Sequence, residues 1–406
     1  VLVLAGPLEG IRIADLSHVL AAPFTTMILA DLGAEVIKVE TFTGDDSREF
    51  GPFIKELSGE RVQSGYFISI NRNKKSICIN LKTAEGKSIL EDLILNSDII
   101  IENFRPDTMK KLGFSYEEIN KINPAIIYCS ICGFGHDTPL GFSAKPAYDM
   151  VAQAYSGLMS ITGPEGGPPC RVGTSVGDIV AGHQAAIGIL SALWHRNTTG
   201  KGQHVDISMV DSLVYILENA ISRYTMTGEV PQPMGSAHPT ITPFQSFETN
   251  DGWVITPIGN DKLWVAFCRA IEREDLSEHP KFKSNPLRNE NRVELTTIIA
   301  DIIKKKSTSE WIEIFESCAL PYSPLNTVDK VVNDPVINYR KMITEIEQPG
   351  VGKLKIVGTP FHLSETPGAV RTHAPLLGEH TDEVLTSLLK YSPERIVELR
   401  RKNVIN

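Results

Sequence analysis

Ile11-Arg12-Ile13-Ala14-Asp15-Leu16 is the stretch on which the fold turns. Its apolar residues read as a buried strand, and the chain then alternates between strand-like and helix-like segments. Pro23 to Leu32 reads as a helix ending near Gly33, and Glu35-Val36-Ile37-Lys38-Val39-Glu40 as the next strand. Ser76 to Asn80 continues the series, followed by a helix from about Glu85 to Asn96 and strands at Asp98–Glu102 and Ala125–Ser130. Such alternation predicts a parallel sheet covered on both faces: an α/β chain with a Rossmann-like large domain. No G-x-G-x-x-G opens the first helix, so no nicotinamide or flavin cofactor is expected.

Further along, Gly/Pro-rich stretches at 163–173 and 228–243 break the pattern. Ser246 to Pro257 reads as two short strands around the turn Asp251-Gly252, and helices are expected at about 261–273, 292–305 and 309–317. The expected organisation is a large domain over 1–205, completed by a C-terminal segment at about 350–406. A small α+β domain covers 225–325, with linkers at 206–224 and 326–349. The tail carries amphipathic stretches at 381–389 and 393–402.

Composition narrows the function. The 406 residues are 42% hydrophobic and 22% charged, which fits a soluble globular protein with a sizeable core. A net charge of −9 leaves no basic footprint for nucleic acid or an anionic membrane. No apolar run approaches a membrane span, and Val1 to Pro7 is too short and uncharged for a signal peptide. Six scattered cysteines suggest reduced thiols and a cytoplasmic location, or a mitochondrial matrix if an upstream targeting segment is missing. Cys129 and Cys132 form a C-x-x-C, but no second Cys or His pair completes a zinc set, so no metal is expected.

Chemistry points to Asp178, in Val176-Gly177-Asp178-Ile179. Small residues flank it, and a helix is expected to begin just after it. That helix would aim its N–H groups at an ionised carboxylate, which is a competent nucleophile. The plainer reading is an N-cap, since Asp before an apolar run is a common helix start. A third reading takes Gly173-Thr174-Ser175-Val176-Gly177 as the G-x-S-x-G elbow of a serine hydrolase. Against it, the approach Gly166-Gly167-Pro168-Pro169-Cys170 is no strand, and the helix is expected after Asp178 rather than after Ser175.

A set of segments in fixed order carries a resemblance. They include Gly33-Ala34-Glu35-Val36-Ile37-Lys38-Val39-Glu40, Asn71-Arg72-Asn73-Lys74-Lys75-Ser76, Glu102-Asn103-Phe104-Arg105-Pro106, Tyr148-Asp149-Met150-Val151, Val176-Gly177-Asp178 and Pro375-Leu376-Leu377-Gly378-Glu379-His380-Thr381. Together they resemble the family III CoA-transferases (CaiB/BaiF family) over essentially the whole chain. Within that family, Gly235-Ser236-Ala237-His238 and Leu320-Pro321-Tyr322-Ser323-Pro324 are similar to the succinyl-CoA-dependent glutarate and hydroxymethylglutarate enzymes. The resemblance implies CoA transfer from an acyl-CoA donor to a carboxylic acid, with Asp178 as covalent nucleophile. It implies coenzyme A esters as substrates, no permanently bound cofactor, and an interlocked homodimer. It implies an acyl site of Tyr148, Asp149, Gly235 and His238, with a lid at Met234–Pro239 where this chain has a single glycine. CoA contacts are implied at His18, Val19, Arg72, Lys75, Asn103, Arg105 and Lys111. The family also includes α-methylacyl-CoA racemases, which use a His–Asp pair. Here Tyr148 stands in the place of that His, and a phenol is a poor substitute for imidazole.

Overall fold

The computed structural model describes residues 6–59 and 62–406. Residues 1–5, on which the reading of the N-terminus and the start of the large domain partly rest, lie outside the described residues.

The central sheet is built from β1 (Arg12–Asp15), β2 (Glu35–Glu40), β3 (Lys74–Cys78), β4 (Ile99–Glu102), β5 (Ile127–Cys132) and β6 (His204–Ser208). Their order across the sheet is β3-β2-β1-β4-β5-β6, and every pair is parallel. The chain is therefore a mixed α/β protein with a parallel central sheet. β1 pairs with both β2 and β4, so the winding reverses at β1/β4. The first five strands lie within two residues of the sequence reading. β6 escaped it, because in His204-Val205-Asp206-Ile207-Ser208 the apolar residues stand singly between polar ones, without the adjacent apolar pair that marks the others.

Strand alternation sorts the core onto two faces. Ile13, Ile99, Ile101, Ile127 and Cys129 pack against α1 (Ala21–Asp31) and a long later helix. Ala14, Ile37, Ile100 and Tyr128 pack against α2 (Ala84–Leu95) and the C-terminal helix Pro393–Arg401. The chain end returns to the sheet edge, where Asn80 N–H donates to Val404 O at 2.8 Å.

Two helices complete the layer beside the site, α3 (Asp149–Tyr155) and α4 (Val176–Thr199). The buried stripe of α4 is made of small residues, among them Gly177, Ala181, Gly182, Ala185 and Ala186. This lets α4 press closely on α1: a Cβ on Gly182 would stand 2.9 Å from Ala21 O, and Thr25 Oγ1 donates to Gly182 O at 3.1 Å. The expectation that no run approaches a membrane span is corrected here, since α4 is long and apolar enough by length and composition. Its small-residue stripe is nonetheless buried in the protein layer.

The chain divides into two compact units. One holds the sheet, with Val172–Asn219 and Pro335–Asn406; the other comprises Met159–Arg171 and Ala220–Asp334. Within the second, Phe244–Glu248 and Trp253–Pro257 pair antiparallel. Helices Asp261–Ala270, Arg292–Ile303 and Thr308–Ser317 surround a core of Trp264, Phe267, Trp311 and Phe315. Met159–Arg171, read in sequence as part of the large domain, packs here instead. Glu165 pairs with Arg292 at 2.6 Å, and Gly235 N–H donates to Gly163 O at 2.8 Å.

Candidate active site

In a doubly wound sheet the loops after the strand C-termini part at the reversal point and leave a crevice. Here that crevice is a cleft of about 510 Å³, formed after β1 (His18 to Ala21), β2 (Thr41, Thr43), β4 (Asn103 to Pro106) and β5 (Cys132, Gly133). Tyr148, Lys145 and Asp178 complete its wall. A second hollow of about 470 Å³ adjoins it, sharing His18, Thr41, Thr43 and Phe104, and is lined mainly by apolar groups such as Val39, Phe42, Ile79 and Leu112.

Asp178 is the third residue of α4, not the residue before it, and Ser175 is the N-cap position. The capping reading of Asp178 is thereby corrected. So is one argument against the serine elbow, because the helix does start directly after Ser175. The other argument holds: residues 168–175 contain no strand. The expectation that the surroundings favour the ionised carboxylate is also corrected. Burial, reinforced by the negative charge of Asp149, pushes the Asp178 pKa up to about 7.

Asp149 fixes this arrangement. It is only 7% exposed. Its Oδ1 accepts Gly177 N–H at 2.8 Å and its Oδ2 accepts Gln153 Nε2 at 2.7 Å. Gly177 is required for this approach, because a Cβ there would meet Asp149 Oδ1 at 3.1 Å and Leu213 at 3.3 Å. Asp149 thus ties the first turn of α4 to α3 rather than lining the cleft. Tyr148, just before α3, is 77% exposed and does line it.

The loop after β1 is held in a strained form. Asn103 clamps it reciprocally, accepting His18 N–H at 2.8 Å and donating Nδ2–H to His18 O at 2.8 Å. Val19 has φ +65°, a costly conformation for a β-branched residue, and its N–H donates to Asp45 Oδ1 at 3.1 Å. Asp45 in turn forms a fully buried pair with Lys38 at 2.8 Å, and Lys38 Nζ also donates to Ser17 O at 2.6 Å. The His18 ring rests on Phe104 at 5.1 Å.

The expected site residues therefore divide. The structure brings Asp178, Tyr148, His18, Val19, Asn103 and Arg105 to one cleft. Arg72 does not line the cleft: it is buried, holds Asp31 bidentately at 3.0 and 2.7 Å, and lies where β3 begins, away from the strand C-termini. Lys75 does not line the cleft and is paired with Glu35 at 2.8 Å and Glu383 at 2.9 Å. Lys111 is exposed and does not line the cleft. Gly235 and His238 belong to the second unit, where His238 N–H donates to Phe244 O at 3.0 Å. Sequence reasoning missed Lys145, Lys82 and Tyr66. Lys145 sits 3.7 Å over the Phe142 ring in the cleft wall, and Lys82 lines the adjoining hollow. The Tyr66 phenol is raised to about 12 by burial and by the charges of Asp178, Asp45 and Asp149. Lys82 and Lys145 follow the C-terminal ends of β3 and β5, a position that was readable.

Comparison with known proteins gives a consistent result. The model of CoA-transferase family III matches residues 8–381. The chain is 39% identical over 402 residues to succinyl-CoA:glutarate CoA-transferase of Homo sapiens, covering 98% of this chain and 90% of that protein. It is 40% identical over 385 residues to succinyl-CoA:mesaconate CoA-transferase of Haloarcula marismortui, covering 94% and 96%. Among solved structures, a CaiB/BaiF family protein from Brucella suis superposes with a TM-score of 0.84 at 35% identity, covering 95% of this chain and 100% of that one.

Proposed function

This chain belongs to CoA-transferase family III and moves coenzyme A between carboxylic acids, and from that premise we propose that Asp178 carries the transfer covalently. The observation that carries the reading is the half-buried Asp178 carboxylate on the first turn of α4, lining the crevice at the strand C-termini. Its oxygen attacks the donor thioester carbonyl, the C–S bond breaks, and a mixed anhydride forms as CoA leaves as thiolate. The thiolate attacks the aspartyl carbonyl, giving an aspartyl-CoA thioester and the free donor acid. The acceptor carboxylate then attacks that thioester, again forming an anhydride. CoA takes the acceptor acyl group and the Asp178 carboxylate is restored. Every step exchanges one activated acyl bond for another, so water must be kept out.

Asp149 is a positioning residue in this scheme. Both its oxygens are engaged and neither contacts Tyr148, which weighs against a proton-transferring pair and hence against racemase chemistry. The apolar hollow shared through His18 and Phe104 suits the adenosine end of CoA, with Arg105, Lys145 and Lys82 as cations for its phosphates. We assign dicarboxylic acids as the substrate class, with succinyl-CoA as donor, and a homodimer as the working state. The test is a panel of acyl-CoA donors against mono- and dicarboxylate acceptors, followed by mass spectrometry. The expected result is transfer from succinyl-CoA to a dicarboxylate, with hydroxylamine converting the activated Asp178 carboxyl to a hydroxamate as CoA is released. An acyl group found on Ser175 before hydroxylamine is added, or thioester hydrolysis without transfer, would overturn it.

A further inference from the structure

Beside the cleft, three donor side chains from two neighbouring strands and a loop converge. Cys132 ends β5, His136 lies on the loop that follows, and Asp206 lies in β6. His136 Nδ1 is 2.9 Å from Asp206 Oδ1 and 3.6 Å from Cys132 Sγ, and the three donor atoms all lie within 4.8 Å of one another. The His136 backbone N–H donates to Asp206 Oδ2 at 3.0 Å, which anchors the loop to β6. Cys129 takes no part: three residues back along a strand it faces the opposite side, and it is fully buried in the core.

We propose that Cys132, His136 and Asp206 form a binding site for a zinc-class divalent cation in the wall of the catalytic cleft. Zinc bonds of about 2.0–2.3 Å in tetrahedral geometry place adjacent donors roughly 3.3–3.7 Å apart. The Cys132–His136 pair already stands at that separation. The His136–Asp206 pair opens by about half an ångström when a metal replaces the hydrogen the two now share. A thiolate with an imidazole selects zinc-class ions over magnesium or calcium, and the two anionic donors match a divalent charge. The other ring nitrogen supports the assignment. His136 Nε2 faces the buried Glu102 Oε1 at 3.9 Å, the kind of carboxylate that orients a metal-bound histidine from behind. Three protein donors leave a fourth position open. Because Cys132 also lines the cleft that holds Asp178, the cation stands where an anionic group of a substrate can reach it.

This site is independent of the covalent mechanism. The full-length protein, stripped with a chelator, is titrated with Co²⁺ and followed by absorption spectroscopy. The expected result is one-to-one binding with visible d–d bands and a near-ultraviolet thiolate-to-cobalt charge-transfer band. Cys132→Ser removes that band, His136→Gln lowers affinity at least about tenfold, and Cys170→Ser leaves both unchanged. Absence of one-to-one binding, or a charge-transfer band that survives Cys132→Ser, overturns the proposal. Should Cys132→Ser fail to fold by circular dichroism, Asp206→Asn decides: affinity at least about tenfold weaker upholds the site, and unchanged affinity overturns it.

Discussion

At the scale of single residues, the role proposed for Asp178 sets two demands against each other. A nucleophile must be ionised, yet burial and Asp149 make ionisation costly and lift its pKa to about 7. Transfer should therefore rise about tenfold between pH 6 and pH 8, as the ionised fraction of a group titrating near 7 grows. Asp149→Asn keeps an oxygen for Gly177 N–H but removes the like charge, so the rising limb should move to lower pH. Burial is the larger cause, so part of the shift remains; a pH–rate profile that does not move would remove Asp149 from this role. Asp178→Asn should cut transfer at least about a thousandfold while raising stability. The sign follows from linkage. The folded-state pKa lies above the ordinary carboxylate value, so the native state loses stability as pH rises from about 4 to 7. Asn escapes that loss, so its gain should be absent near pH 4 and complete above 7, at about 1–3 kcal/mol by chemical denaturation.

At the scale of elements, the same sequence was legible in one respect and opaque in another. Strands β4 and β5 announce themselves as short apolar runs buried on both faces, whereas β1, β2 and β3 mix charged with apolar residues and are legible through their alternation with helical segments. The start of α4 did not, because Ser175, Val176 and Gly177 give no strong boundary and Asp178 looks like a cap. Cations were harder still. Arg72 and Arg105 are equivalent as letters, but one lies where β3 begins and the other follows the C-terminal end of β4. Only strand direction separates them, since ligands gather at strand C-termini. Arg105→Ala should weaken apparent affinity for all CoA esters by about 1–3 kcal/mol and leave saturated turnover nearly unchanged. Arg72→Ala leaves Asp31 buried without its partner and should destabilise by about 3–5 kcal/mol. The milder Arg72→Lys, which loses the bidentate geometry, should fold and bind CoA esters as wild type does. A raised KM in that variant, with normal melting, would return Arg72 to the CoA site.

At the scale of the whole molecule, composition could mark Gly163 to Gly173 as a loop but not say which unit owns it. That is settled by distant partners, Arg292 and Gly235, which no local pattern announces. The sheet unit leaves a question of its own on α4. Its inner stripe is buried, yet Ile187 (57% exposed), Leu190 (38%) and Trp194 (74%) share a second face at helical spacing. An indole left three-quarters exposed beside two aliphatic side chains is an unusual surface for an isolated chain, and it is the kind of patch that association covers. The occupant we assign is a second copy of this chain, in keeping with the homodimer proposed above. Wild-type protein should then sediment as a dimer. Ile187→Glu with Trp194→Glu should shift it toward monomer, because charged groups in a closing interface lose hydration without gaining partners. Trp194 emission should be blue-shifted in the wild type and move to longer wavelength on dilution through the dissociation range. A wild type that sediments as a monomer at all concentrations, with Trp194 emission already that of a solvated indole, would refute the dimer and leave this face of α4 without an occupant.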